Sequence, residues 1–178
     1  MSRLKVLDPA KVTGPSKEMV DAIQKKMGKV PNIFRGMAHS PAVLGFYLAG
    51  SEALGKSSLS PQVREQVALA VAQTSSCDYC LAAHSAIGKG AGLTDDQMLA
   101  ARRGAGSDAK ASAAVVLALK IVEARGDLSD SDIAHARKGG LDDGELAEVL
   151  AVACLNLYTN YFNHLNGTEV DFPPAPKV

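Results

Sequence analysis

The 178-residue chain balances 19 Lys+Arg against 19 Asp+Glu, with 47% apolar side chains and 21% charged ones. That length implies one domain, or two halves on one core, burying about 70% of the surface its unfolded chain exposes, and the ordinary apolar content at zero net charge excludes disorder. No basic excess is available to neutralise phosphates, so neither nucleic acid nor an anionic membrane surface is an expected partner. The longest uncharged stretch, Val149 to Asn163, is interrupted by Asn156, Tyr158, Thr159 and Asn160, whereas a bilayer span needs roughly 18 mostly apolar residues. The opening MSRLKVLDPA has no apolar core and no cleavage site, so no secretory signal is expected and the expected compartment is the cytoplasm.

Along the chain, 28 alanines, 19 leucines and apolar residues at three-to-four spacing, without an alternating run, predict an all-α protein. Ser40-Pro41 and Ser60-Pro61 each pair an N-cap with proline at the first helical position. Thr94 to Gln97 and Asp142 to Glu145 read as capping boxes, and Ser107 and Ser129 or Asp130 open two more helices. Glycines 28, 55, 104, 126, 139 and 167 mark helix ends. Eight helices are predicted, near 16–27, 41–54, 61–75, 77–90, 95–103, 108–125, 130–138 and 143–165. The segment 108–125 should lie in the core through positions 115, 116, 119 and 122. The proline-bearing tail, 171–178, should run extended over a surface.

The chain reads as one domain, 1–178, with its motif-bearing part at about 41–104. A candidate related second half covers about 108–170: Glu65 and His84 are nineteen residues apart, and so are Glu145 and His164. That second copy has no cysteine pair.

Three cysteines, Cys77, Cys80 and Cys154, are too few for a disulfide scaffold; in a reducing compartment a close pair points to a metal or redox site. On a helix starting near Cys77, residues 77, 80, 84 and 87 share one face, so Cys77, Cys80 and His84 converge. Ser75 and Ser76 are the natural N-caps, which puts both sulfurs in the first turn, where the dipole and unpaired amides favour a thiolate. Three readings compete. Structural zinc would find three ligands in Cys77, Cys80 and His84, with Cys154 a poor fourth inside an Ala/Val/Leu stripe. A thioredoxin-like site would need strands around the pair. A redox dithiol on a helical scaffold needs neither.

Glu65, Cys77 twelve positions on, Cys-Asp-Tyr-Cys, and His84 four after Cys80 together resemble the signature of the AhpD-like alkylhydroperoxidases, within the carboxymuconolactone decarboxylase-like superfamily. Val30-Pro-Asn-Ile-Phe, His39-Ser-Pro and Tyr161-Phe-Asn-His-Leu-Asn-Gly-Thr-Glu-Val-Asp-Phe-Pro resemble its peroxidase-related branch, extending the likeness over about 28–174. The resemblance implies a helical bundle with the C-x-x-C at the N-terminus of a central helix, assembled as trimers or hexamers. It implies thiol-dependent reduction of alkyl hydroperoxides or hydrogen peroxide, with no cofactor and no metal, and it suggests an external dithiol of lipoyl type as reductant. By the same resemblance Cys80 attacks the peroxide, Cys77 resolves the sulfenic acid to a disulfide, and Glu65 and His84 relay protons. The best-known members carry histidine where this chain has Tyr79, whose ordinary pKa of about 10 unsuits it to the same role. Alternatives are a redox-sensing or disulfide-exchange protein without turnover, and a decarboxylase-like enzyme on the same fold. The cysteine pair argues against the latter.

Taken alone, Glu65 reads as a solvated carboxylate, away from Val63, Val67 and Val71; its spacing to Cys77 brings it into the site. Cys154 reads as a small buried apolar residue, Tyr79 as packing, His39 as a loop or capping residue, and His135 as exposed. His164 reads as lining the site or an interface, or as closing a helix C-terminus.

Overall fold

A computed structural model describes residues 2–178. Among them are a 3-10 turn, Pro9–Lys11, and nine α-helices: α1 Ser16–Met27, α2 Asn32–Met37, α3 Pro41–Leu54, α4 Pro61–Thr74, α5 Asp78–Gly90, α6 Asp95–Arg102, α7 Ala109–Ala124, α8 Asp130–Lys138 and α9 Asp143–Asn166; no strand occurs among them. The eight predicted helices lie within a residue of these bounds. The ninth, α2, has six residues, too few to display a period. No helix among the described residues is long and apolar enough to cross a membrane.

The caps act largely as their residue types dictate. Ser40 and Ser60 accept from the backbone N–H groups of Val43 and Val63, and Thr94, Ser129 and Asp142 close capping boxes with Gln97, Asp132 and Glu145. The start of α7 differs from expectation, because Asp108, not Ser107, is the N-cap. Ser107 is drawn off by Gln66 of α4, whose amide accepts from the Ser107 N–H at 2.7 Å and donates to its hydroxyl at 3.1 Å. Gln66 is fully buried, and these bonds satisfy it while fixing α7 to α4.

Helix α4 is the centre of the fold, packing against α5, α6, α7 and α9. Its Leu69 and Ala72 enter the core built by α1, α2, α3, α5 and α6, while Val63, Val67, Ala70 and Val71 enter a second core with α7, α8 and α9. The buried line of α7 is Ala111, Ala114, Val115, Ala118 and Ile121. Val115 is where the sequence put it, but Val116, Leu119 and Val122 are only partly buried. Alanines form most of the packed face and let the helices approach closely, so the larger residues flank the contact.

Gly106 shows how tight this approach is: a β-carbon there would meet Ser112 N at 2.1 Å and Ala111 C at 2.2 Å. Both are backbone atoms and cannot yield by changing rotamer. Gly106→Ala should therefore cost about 3 kcal/mol, the upper end for overpacking, lowering Tm by roughly 6–12 °C in a chain of this size. Thermal unfolding followed by circular dichroism measures it, and a drop of under a degree would refute it.

The ends of the chain meet the helices. Arg3 donates to the His164 and Leu165 carbonyls, supplying a cation and donors to the C-terminus of α9. In the tail, Asp171 accepts from the Asn32 N–H at the start of α2. Phe172 meets Tyr79 edge-on with ring centroids 5.7 Å apart, and the Pro176 carbonyl accepts from Arg102.

Candidate active site

The site begins at the sharp link between α4 and α5. Ser75 closes α4, and Ser76 takes a φ of 51°, a left-handed conformation that costs a non-glycine residue energy and reverses the chain. Neither serine caps α5. The N-cap is Cys77 itself, whose Sγ accepts from the Cys80 backbone N–H at 3.4 Å. A two-residue link spends both serines on ending one helix, so the cap falls to the first cysteine.

Cys77 and Cys80 are free thiols and are buried. They share a proton unequally. Cys77 is lowered from the ordinary thiol range to about 6, first because the Cys80 thiol hydrogen-bonds to it; burial opposes this, and the Cys80 N–H and the charge of His164 reinforce it. Cys80 is raised, as the donor in that bond and by its own burial beside a partner that carries the charge. Both effects favour the negative charge on Cys77, the sulfur that the family resemblance casts as resolving.

One turn along α5, His84 Nδ1 bonds Glu65 Oε2 of α4 at 2.8 Å, with both side chains mostly covered. Burial alone would lower His84, but the charge and hydrogen bond of Glu65 outweigh it, aided by the charge of Cys77 and by Asn156, and the net shift is upward. With Nδ1 held by the carboxylate, Nε2 is the nitrogen left to exchange a proton. Of the four expected residues, Cys77 and Cys80 pair in the first turn of α5, Glu65 and His84 pair between α4 and α5, and the charge of Cys77 links the two pairs through His84.

The third wall of the site was not expected. Helix α9 buries Asn156, Thr159, Asn160 and Asn163, and Asn163 Nδ2 donates to Cys80 Sγ at 3.2 Å. The signal lay in the sequence: four small polar residues at three-to-four spacing in an otherwise apolar helix form a stripe, and a buried polar stripe needs partners. Tyr47 of α3 stands on the other side, with burial raising its pKa and the charges of Glu65 and Cys80 adding to the effect. Beside this group lies a cavity of about 520 Å³. Its wall includes Glu65, His84, Asn156 and Thr159 together with Phe34, Tyr47, Leu48, Val152 and Leu155. Exposed Met27 and Ile87 also line it.

Other candidates fall outside. Tyr79 is buried, accepts from the Ile33 N–H at 3.3 Å and is raised by burial, so it is a packing post. Cys154 is exposed, against the expectation of burial: it stands on the outer side of α9, where the apolar stripe continues onto the surface. His39 is exposed with its ring bonded to the Lys5 carbonyl, and His135 is exposed. His164 is exposed at the end of α9, where its charge favours the Cys77 thiolate. Glu145 and His164 sit on the same helix, about 28 Å apart along its axis, so their spacing builds no second pair; Glu145 instead meets Lys110 at 2.6 Å.

The model of the carboxymuconolactone decarboxylase family matches residues 41–124, a segment holding all four residues. No curated protein matches the chain. Among solved structures, the chain is similar to an alkylhydroperoxidase AhpD core, an uncharacterized peroxidase-related protein from Ralstonia eutropha JMP134, at 23% identity and a TM-score of 0.86, covering 96% of this chain and 92% of that one. It is also similar to an uncharacterized peroxidase-related protein from Silicibacter sp. TM1040, at 24% identity and a TM-score of 0.82, over 97% and 90% of the two chains. The carboxymuconolactone decarboxylase family model thus covers the stretch from α3 to α7, and the helical fold of the whole chain is the one these two structures share.

Proposed function

We propose that the chain is a thiol-dependent peroxidase, reducing alkyl hydroperoxides or hydrogen peroxide through Cys77 and Cys80 with Glu65 and His84 as proton relay. The observation that carries this reading is a buried dithiol at a helix N-terminus beside a hydrogen-bonded carboxylate–imidazole pair on the wall of a largely apolar cavity. The Cys77 thiolate takes the Cys80 proton across the bond they share. The Cys80 thiolate then attacks the terminal peroxide oxygen: an S–O bond forms, the O–O bond breaks, and the departing alkoxide takes a proton from His84 to leave as alcohol. His84, now a base backed by Glu65, removes the proton from Cys77. Its thiolate attacks Cys80 sulfur, forming the disulfide and expelling hydroxide, which His84 protonates to water. The pair loses two electrons and the peroxide gains them. An external dithiol, of lipoyl type by resemblance, restores both thiols by exchange and is itself oxidised to a disulfide.

A homo-oligomer, trimer or hexamer, fits the exposed Phe46, Tyr161 and Leu165, and the reducing cytoplasm suits a pair that must return to the dithiol. A single-turnover experiment tests the chemistry. One equivalent of cumene hydroperoxide added to the reduced chain without oxygen should yield one equivalent of the alcohol and a Cys77–Cys80 disulfide by mass spectrometry. Peroxide left intact beside two titratable thiols would overturn the proposal.

A further inference from the structure

We propose that Asn163 is a catalytic residue of this site, its side-chain N–H being the donor that holds the Cys80 sulfur and stabilises the negative charge that forms there. The word catalytic rests on the peroxidase reading above; the effect on Cys80 acidity rests on the geometry alone.

Asn163 Nδ2 is 3.2 Å from Cys80 Sγ, and the residue is buried. The Cys80 proton is engaged with Cys77, so only a donor can bond the other side of this sulfur. Thr159, the other polar residue of α9 beside it, also lowers Cys80 but by less than Asn163, and its hydroxyl hydrogen is engaged by the Asn156 carbonyl at 2.9 Å. Asn163 is also rigidly placed. Its carbonyl accepts from the N–H groups of Gly167 and Thr168 where α9 ends, which fixes the backbone behind the amide. Its Oδ1 is buried with no partner, a cost that a purely structural amide would relieve by turning or by substitution. Kept in this orientation, the amide presents N–H to sulfur. Such a bond strengthens as the sulfur becomes charged, since charge-assisted hydrogen bonds are about twice as strong as neutral ones. It thus favours the attacking thiolate over the resting thiol, as a catalytic interaction must.

Several titratable groups surround the pair: Cys77 at the N-cap, Tyr79 of α5 and Tyr47 of α3 interact with Cys80, His84 of α5 and His164 of α9 with Cys77, and Glu65 of α4 with His84 and Tyr47. The test therefore removes Cys77 and leaves the rest constant. In a Cys77→Ser background, the pH midpoint of Cys80 alkylation by iodoacetamide should rise by about one unit or more on Asn163→Leu. In the otherwise unmutated chain, Asn163→Leu should lower kcat/KM for cumene hydroperoxide by about tenfold. An unchanged midpoint in a variant that unfolds cooperatively overturns the proposal. Should Asn163→Leu fail to fold, the Cys77→Ser chain with Asn163 in place still answers: its Asn163 side-chain amide resonance must shift as Cys80 ionises, and a resonance that stays fixed overturns it equally. Neither acidity readout uses a peroxide, so a chain that turns over no peroxide defeats the peroxidase reading and leaves this inference to be judged on its own result.

Discussion

Cys80→Ser should bring peroxide consumption down to the reductant-only rate, a loss of at least about 10³-fold, as expected when the nucleophile of a covalent mechanism is removed. Cys77→Ser should behave differently: one alcohol per chain, a sulfenic acid on Cys80, then a stall. The contrast matters because the site favours the negative charge on Cys77, lowered to about 6. A thiolate is the stronger nucleophile only if the peroxide can reach it and its product can be resolved. Cys80 is the sulfur held by Asn163 and bordered by Thr159, which lines the cavity. Cys77 is the helix cap, and in the proposed mechanism it hands its charge on by accepting the proton of Cys80. If Cys80→Ser instead gave one alcohol and Cys77→Ser none, the two roles would be exchanged. Chromatographic measurement of the alcohol in a single turnover separates the cases.

Glu65→Gln should slow turnover by about 10²-fold and move the rising limb of the pH–rate profile to higher pH. The sign follows from the site. The Glu65 carboxylate raises His84 against burial, which alone would lower it. Removing that charge leaves the burial uncompensated, so His84 becomes a weaker base and the thiols need a higher pH to ionise. Gln keeps the shape and one hydrogen bond, so thermal stability should change little. A kcat/KM profile measured across the pH range that is superimposable on the wild type's would remove Glu65 from the relay.

The helices were legible because their ends are written in local chemistry: Ser-Pro pairs, capping boxes and terminal glycines decide boundaries without reference to the rest of the chain. Helix α2 was not, being six residues long. The four candidate residues were legible by spacing and family likeness, and Glu65 shows the limit of a local reading. Its position on the helical wheel alone assigns it to solvent, and only its twelve-residue spacing to Cys77 reverses that. Asn163 and Thr159 lie some eighty residues from the cysteines, and no local rule joins them to α5. Their contact depends on how α9 crosses α4 and α5, a tertiary fact. The N-cap role of Cys77 was missed for the opposite reason: both serines are good caps by type, but the short α4–α5 turn leaves neither in position.

The most direct measurement of the central claim is steady-state consumption of cumene hydroperoxide by the metal-free wild-type chain with excess dihydrolipoamide, read as alcohol formed. The account predicts turnover well above the reductant-only rate, saturating in peroxide and absent from Cys80→Ser. Formation of the Cys77–Cys80 disulfide without repeated alcohol production would contradict it, and would make the pair a redox sensor on the same fold.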